Sequence, residues 1–203
     1  MISQICVNQR AFHLRVSAGN IFILLFISII LSSCNHSQTS SSKKNQTLYR
    51  VSKDSLYEYG SPAGYINEKG DTIIPIGKYL VCFTDTIQPI GFVLKGGLND
   101  RNIPLAINTS DSILFEVYWF DNGPDYIAEG LFRIVNNGNV GFADSLGNIV
   151  IEPRFACAEP FQEGKARVSL DCETKTTDDA DGHSAMISDN WFYIDKGGNQ
   201  LNP

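Results

Sequence analysis

The chain has 203 residues, 22 acidic against 16 basic side chains and a formal net charge of −6. Nucleic-acid binding needs clustered Lys and Arg to neutralise phosphates. The only adjacent basic pair, Lys43-Lys44, sits in a polar, Ser-rich stretch, so that partner class is excluded. With 43% hydrophobic residues, the length suffices for one domain with a real core.

In chain order, the first thirty or so residues carry Arg10 and Arg15, no acidic side chain, and an apolar run from Ile21 to Leu31 broken only by Ser28. This is the charged n-region and short h-region of a secretory signal, too short to span the roughly 20 apolar positions of a membrane helix. Leu31-Ser32-Ser33-Cys34 then resembles the lipobox of bacterial lipoproteins, an aliphatic and two small residues before a cysteine. The resemblance implies cleavage after Ser33 and a thioether-linked lipid on Cys34, with acyl chains contributing about 0.8 kcal/mol per buried CH2. Setting residues 1–33 aside takes the formal charge to −8 and leaves about 170 residues. Residues 34–47 are polar and free of Phe, Tyr and Trp, the composition of a flexible tether. Asn35-His36-Ser37-Gln38 lacks an acidic cluster, which tilts the expected location to the periplasmic side of an outer membrane rather than the cell surface.

From Leu48 to Pro203 short apolar runs alternate with Gly, Asn and Asp, and no amphipathic helix is evident. The expectation is a single all-β domain of stacked antiparallel hairpins and small sheets. Three segments repeat: Ala63–Asp71, Val140–Asn148 and Trp191–Asn199. Each has an aromatic residue third, Asn or Asp fifth, Gly eighth and Asp or Asn ninth. That is hairpin chemistry: the fifth side chain accepts from an amide two residues on, and the Gly adopts positive φ to close the turn. The first two run on through Thr72-Ile73-Ile74-Pro75 and Ile149-Val150-Ile151-Glu152-Pro153 to an aromatic residue, Tyr79 or Phe155. A second module, Glu129-Gly130-Leu131-Phe132-Arg133-Ile134, returns as Glu163-Gly164-Lys165-Ala166-Arg167-Val168. Period-2 alternation sends Phe132, Ile134, Ala166 and Val168 to the core, and Arg133 and Arg167 to solvent. Asn137-Gly138 marks a tight turn between strands.

Together these residues resemble the WG (KWG) repeat family. The likeness is best from about Asp125 to Val168, partial at 63–79 and 190–200, with clearest units at 63–79, 129–155 and 163–200. The name-giving Trp-Gly is degenerate, standing as Ala63-Gly64, Val140-Gly141 and Trp191-Phe192. Residues 80–124 fit no clear copy, being either a diverged repeat or an insertion. The final copy reaches Leu201-Asn202-Pro203 where its last strand should begin, implying a capped end or pairing with a strand near 49–58. The resemblance implies stacked units that bury apolar faces against their neighbours.

Sites are sparse. Beyond Cys34 the cysteines are Cys82, Cys157 and Cys172; the latter two flank a predicted hairpin and either meet or, like Cys82, are small buried hydrophobes. His36 and His183 are the only histidines after residue 33. The loop 171–188 carries Asp178, Asp179 and Asp181, weak calcium candidates whose spacing fails the EF-hand template, so a solvated acidic loop is the preferred reading. Glu129 and Glu163 recur at equivalent places, which argues for a turn role over a catalytic one. Trp119, Phe120, Asp121 and Tyr126 lie in an aromatic, turn-rich stretch. The core is the first expectation for such rings; they are also the best candidates for an exposed contact surface. The resulting expectation is a non-catalytic, envelope-anchored module without cofactor. It is held to the membrane by Cys34 and binds a protein or polymer. The alternative is an envelope metal-dependent hydrolase or calcium-binding protein using loop 171–188.

Overall fold

The structure is a computed structural model; it describes residues 46–53, 58, 60–97, 101–176 and 184–202. The signal segment 1–33, Cys34, and Asp178, Asp179, Asp181 and His183 lie outside the described residues. Within them the chain forms strands and no helix, paired antiparallel.

The organisation is four copies of one unit. Unit I is β1 (Leu48–Ser52), β2 (Ala63–Asn67) and β3 (Thr72–Ile74). A linker with β4 (Val81–Cys82) and β5 (Thr86–Ile87) leads to unit II, formed by β6 (Ile90–Gly96), β7 (Asn102–Asn108) and β8 (Ile113–Val117). The small hairpin β9 (Trp119–Phe120) and β10 (Gly123–Pro124) precedes unit III, made of β11 (Leu131–Asn136), β12 (Asn139–Asp144) and β13 (Ile149–Phe155). After β14 (Cys157–Ala158), unit IV has β15 (Lys165–Ser169) and β18 (Phe192–Asp195). Between these two strands an arm is inserted, β16 (Glu173–Thr176) and β17 (Ser184–Ile187).

Register establishes the equivalence. Arg50 faces Tyr65, Phe92 faces Ala106, Arg133 faces Phe142, and Arg167 faces Tyr193. The same amide bond joins each linker to the next unit: Phe83 N–H to Phe92 O at 2.9 Å, Tyr118 to Arg133 O at 3.0 Å, Glu159 to Arg167 O at 2.8 Å. Residues 80–124 therefore contain a diverged repeat.

One turn follows the middle strand of every unit. The Oδ1 of Asn67, Asp144 and Asp195 accepts from the amide two residues on at 2.9 Å in each case, and from the amide four residues on at 2.8–2.9 Å. Asn108 does the same for Ser110 and Ser112, at 2.9 and 3.1 Å. The expected glycines have positive φ, +85° at Gly70, +87° at Gly147 and +80° at Gly198, while unit II uses Asp111 at +60°. A non-glycine residue there costs on the order of 1 kcal/mol. Asp111 recovers contacts in exchange, since its carboxylate accepts from Tyr79 Oη at 2.8 Å and pairs with Lys78.

The apolar clusters lie between successive units. Leu48, Tyr65 and Ile74 of unit I meet Val93, Leu105 and Ile107 of unit II. Ala106 and Val117 from unit II meet Phe132, Ile134 and Ala143 from unit III. Phe142, Ile151 and Phe155 from unit III meet Ala166, Val168 and Ile194 from unit IV. Interior units are thus covered on both faces, and all of Leu131–Ile134 and Val140–Ala143 is buried. Burying each large apolar side chain contributes roughly 1.5–3 kcal/mol.

This double coverage corrects one expectation. Phe132 and Ile134 do face a core, but Arg133 does not reach solvent and is 1% exposed, because unit IV and its linker cover the other face of β11. Arg167, at the same place in unit IV, keeps its side chain 39% exposed. Of the two endings left open for the last copy, pairing with the first strand is not seen among the described residues: β1 is bonded to β2 and β5, whereas Gln200 bridges Ile194 and Leu201 N–H donates to Tyr193 O.

Candidate interaction surface

The hairpin β9–β10 brings Trp119 and Phe120 out of the stack, 41% and 47% exposed, with Tyr126 at 52% beside them. Asp121, at φ +53°, turns the chain between the two strands and is exposed. The rings interlock: Phe120 meets Tyr126 edge-on at 5.7 Å between centroids, and Trp119 meets Phe83 at 6.1 Å. Sequence reasoning placed these residues together; its first expectation of a core role does not hold for Trp119, Phe120 or Tyr126.

Beneath them lies a buried ion pair the sequence reading missed. Asp125 Oδ2 accepts from the backbone N–H and Nε of Arg133 at 2.8 and 2.9 Å, and Oδ1 from Nη2 at 2.6 Å. Arg133 Nη1 donates to Ala158 O at 3.0 Å, and the guanidinium lies 4.2 Å from the Tyr118 ring centroid and 5.4 Å from that of Phe120. Arg50 Nη1 repeats this contact in unit I, on Cys82 O at 3.0 Å. A bidentate pair in which each guanidinium nitrogen donates at least once fixes geometry as well as adding energy, so Phe120 stands on a rigid base. The available signal was the recurrence of Arg at one repeat position with an Asp upstream.

The recurrent glutamates sit in turns. Glu129-Gly130 and Glu163-Gly164 have positive φ at both residues, the geometry of a type I′ hairpin turn. Glu129 also ties unit III to unit IV, accepting from Gly164 N–H at 3.0 Å and pairing with Lys196 at 3.1 Å. Lys196 foremost, and then the Gly164 amide, hold its carboxyl below the usual range.

The arm of unit IV is closed at its neck. Cys157 and Cys172 form a disulfide with Cα atoms 5.6 Å apart, while Cys82 remains a buried thiol whose pKa burial raises. Asp171 Oδ1 accepts from Ser169 and Ser188 hydroxyls, each at 2.8 Å, and Oδ2 accepts from Asn190. The Asn190 amide, then the two hydroxyls, hold the Asp171 carboxyl low. Among the described residues no group of three or more His, Cys, Asp and Glu side chains is placed to hold a metal.

The family comparison has its phase in this geometry. Residues 141–171 match the family model described as WG containing repeat. The matched stretch runs from the middle strand of unit III through β13 and β14 into unit IV. No curated protein and no solved structure matches the chain. In WG-repeat terms the glycine of the signature, Gly141, lies under the backbone of the third strand. A Cβ there would stand 2.4 Å from Ile151 O and 2.5 Å from Pro153 N, and at Gly64 2.3 Å from Ile74 O.

Proposed function

We propose that this chain is a non-catalytic, lipid-anchored WG-repeat module that binds an envelope protein or polymer through Trp119, Phe120, Asp121 and Tyr126. The observation that carries the reading is the exposure of Trp119, Phe120 and Tyr126 on one hairpin and its flank, with Phe120 edge-on to Tyr126 and over the Arg133 guanidinium, and Trp119 edge-on to Phe83. Rigid aromatic side chains supply contact area at low ordering cost and are enriched at binding hot spots. Export is supported by the signal-like segment with Cys34 and by the disulfide, which suits an oxidising compartment. The domain then stands off the membrane on residues 35–47, on the periplasmic side.

Photo-crosslinking residues introduced in place of Trp119 or Tyr126 in the full chain, expressed in its host, should capture a discrete partner. The variant Trp119→Ala/Phe120→Ala/Tyr126→Ala should lose that partner while melting near wild type. Equal capture by the variant overturns the surface. Acyl labelling of wild type and Cys34→Ala tests the anchor separately; equal labelling refutes it. A catalytic or calcium role for loop 171–188 predicts a calcium-dependent melting shift that disappears in Asp178→Ala/Asp179→Ala/Asp181→Ala/His183→Ala. The present reading predicts no such shift.

A further inference from the structure

The connection between first and middle strands differs among the units. It is the two-residue turn Asn137-Gly138 in unit III, but 97–101 in unit II and 170–191 in unit IV. Beside the short turn lies a recess of about 560 Å³, walled on one side by β8 and Arg101 and on the other by β13. This falls within the roughly 300–1,000 Å³ of small-molecule sites. Its position follows from Gly141: because the third strand of unit III crosses directly over that Cα, Glu152 and Pro153 are drawn into the wall. Unit II has Leu105 at the corresponding position, facing Glu116 in simple register.

The lining is of two kinds. Phe115, Ile149 and Pro153 supply an apolar surface. Arg101, Glu116, Asn136 and Glu152 supply the polar groups. Arg101 already pairs with Glu116 at 2.8 Å, which leaves Glu152 as a carboxylate without a balancing cation in the lining. That charge disfavours an anionic ligand. A divalent ion such as calcium gathers six or more oxygens, more than two carboxylates set in separate walls offer. A wholly apolar ligand would leave the amide and carboxylates desolvated and unpaired, a cost of roughly 1–3 kcal/mol for each group. What satisfies both surfaces is a neutral ring with an apolar face and hydroxyls round its edge.

We propose that this recess binds a neutral sugar residue, its C–H face on Phe115 and Pro153 and its hydroxyls on Asn136, Glu152 and Glu116. The proposal stands apart from the aromatic surface at 119–126, which shares no residue with the recess lining. Calorimetry and saturation-transfer NMR on the full chain test it with methyl β-glucoside, N-acetylglucosamine, their β1,4-linked tetrasaccharides, and glucuronate as the anionic comparator. At least one neutral sugar should bind, with glucuronate roughly tenfold weaker because of the uncompensated carboxylate. Asn136→Leu and Glu152→Leu should each weaken binding roughly tenfold, as expected when a ligand hydroxyl loses its partner, with melting temperatures near wild type. Trp119→Ala/Phe120→Ala should bind sugar normally even where it loses the captured partner, so the two readings fail independently. A tetrasaccharide tighter than its monomer points to a polymer source, and equal affinity to a free sugar. Absence of binding by every neutral probe at millimolar concentration overturns the proposal. So does undiminished binding by Asn136→Leu and Glu152→Leu, or loss only on Trp119→Ala/Phe120→Ala.

Discussion

Units II and III share a strand order and a turn, and almost none of the side chains that mark the repeat. Where unit III has Arg133, Gly141, Phe142 and Gly147, unit II has Phe92, Leu105, Ala106 and Asp111. The turn acceptor, Asn108 or Asp144, and the strand register survive in both. The path of the third strand differs. In unit III β13 shifts register twice along β12 and crosses over Gly141, whereas β8 shifts once along β7 and continues straight to pair with β11. The turn and the pairing therefore specify the unit, and the signature residues specify how the third strand leaves it and how the next unit is held.

The largest effect should come from the Arg133 position. Asp125→Ala leaves a buried guanidinium uncompensated and should cost about 3–5 kcal/mol in urea unfolding. Arg133→Phe combined with Asp125→Thr imitates unit II, where the Thr84 hydroxyl accepts from the Phe92 amide at 3.3 Å, and should recover most of that loss. If the double variant is as unstable as the single one, the pair does more than bridge units. Next, Gly141→Leu places a side chain against Ile151 O and Pro153 N and should cost about 3 kcal/mol, the upper range for overpacking. Leu105→Gly in unit II should also destabilise, but by lost burial, since Leu105 is 6% exposed. A stable Gly141→Leu protein with unchanged near-UV dichroism would show that the crossing does not need glycine.

Much of this difference was legible in sequence. The turn chemistry was, because one short side chain and one glycine at fixed spacing do the work locally. Unit II was not, because Asp111 replaces the glycine and Ala106 the ring, although Asn108 kept the signal. Arg133 misled for another reason. Alternation reports which side chains share a face of a strand, and says nothing about whether a neighbouring unit covers that face. The exposure of Trp119, Phe120 and Tyr126 was open on similar grounds, since a ring's type does not reveal which side of a stack it meets.

Unit IV extends the comparison, with its inserted arm. Cys172→Ser should lower stability by about 2–3 kcal/mol, as expected for a loop of 15 residues, without loss of the WG-type strands. A collapse of β-sheet dichroism would instead make the disulfide essential to units III and IV. The smallest effect concerns the turns. The carboxyls of Asp144 and Asp195 are held low chiefly by the amides of Asn148 and Asn199. Lowered folded pKa values mean that their contribution is complete above the ordinary Asp pKa of about 3.9 and is lost as pH falls through the folded values. Asp144→Asn/Asp195→Asn keeps the amide acceptors, as Asn67 and Asn108 do, and should flatten the melting-temperature decline below about pH 4. An unchanged acid limb would place the titration elsewhere, with Glu129 and Asp171 the next candidates.

The closed neck of the arm has a consequence for how such a protein changes over time. With Asp171 bound to Ser188 and Asn190, and Cys172 fastened to Cys157, the chain leaves and re-enters unit IV at fixed points. Beyond those points, doubling the length of a flexible loop costs only about 0.6 kcal/mol. Sequence drift and insertion there are decoupled from the stability of the stack. The neck is thus a natural graft point, where a new hairpin can be tried while the four units below it go on folding as before.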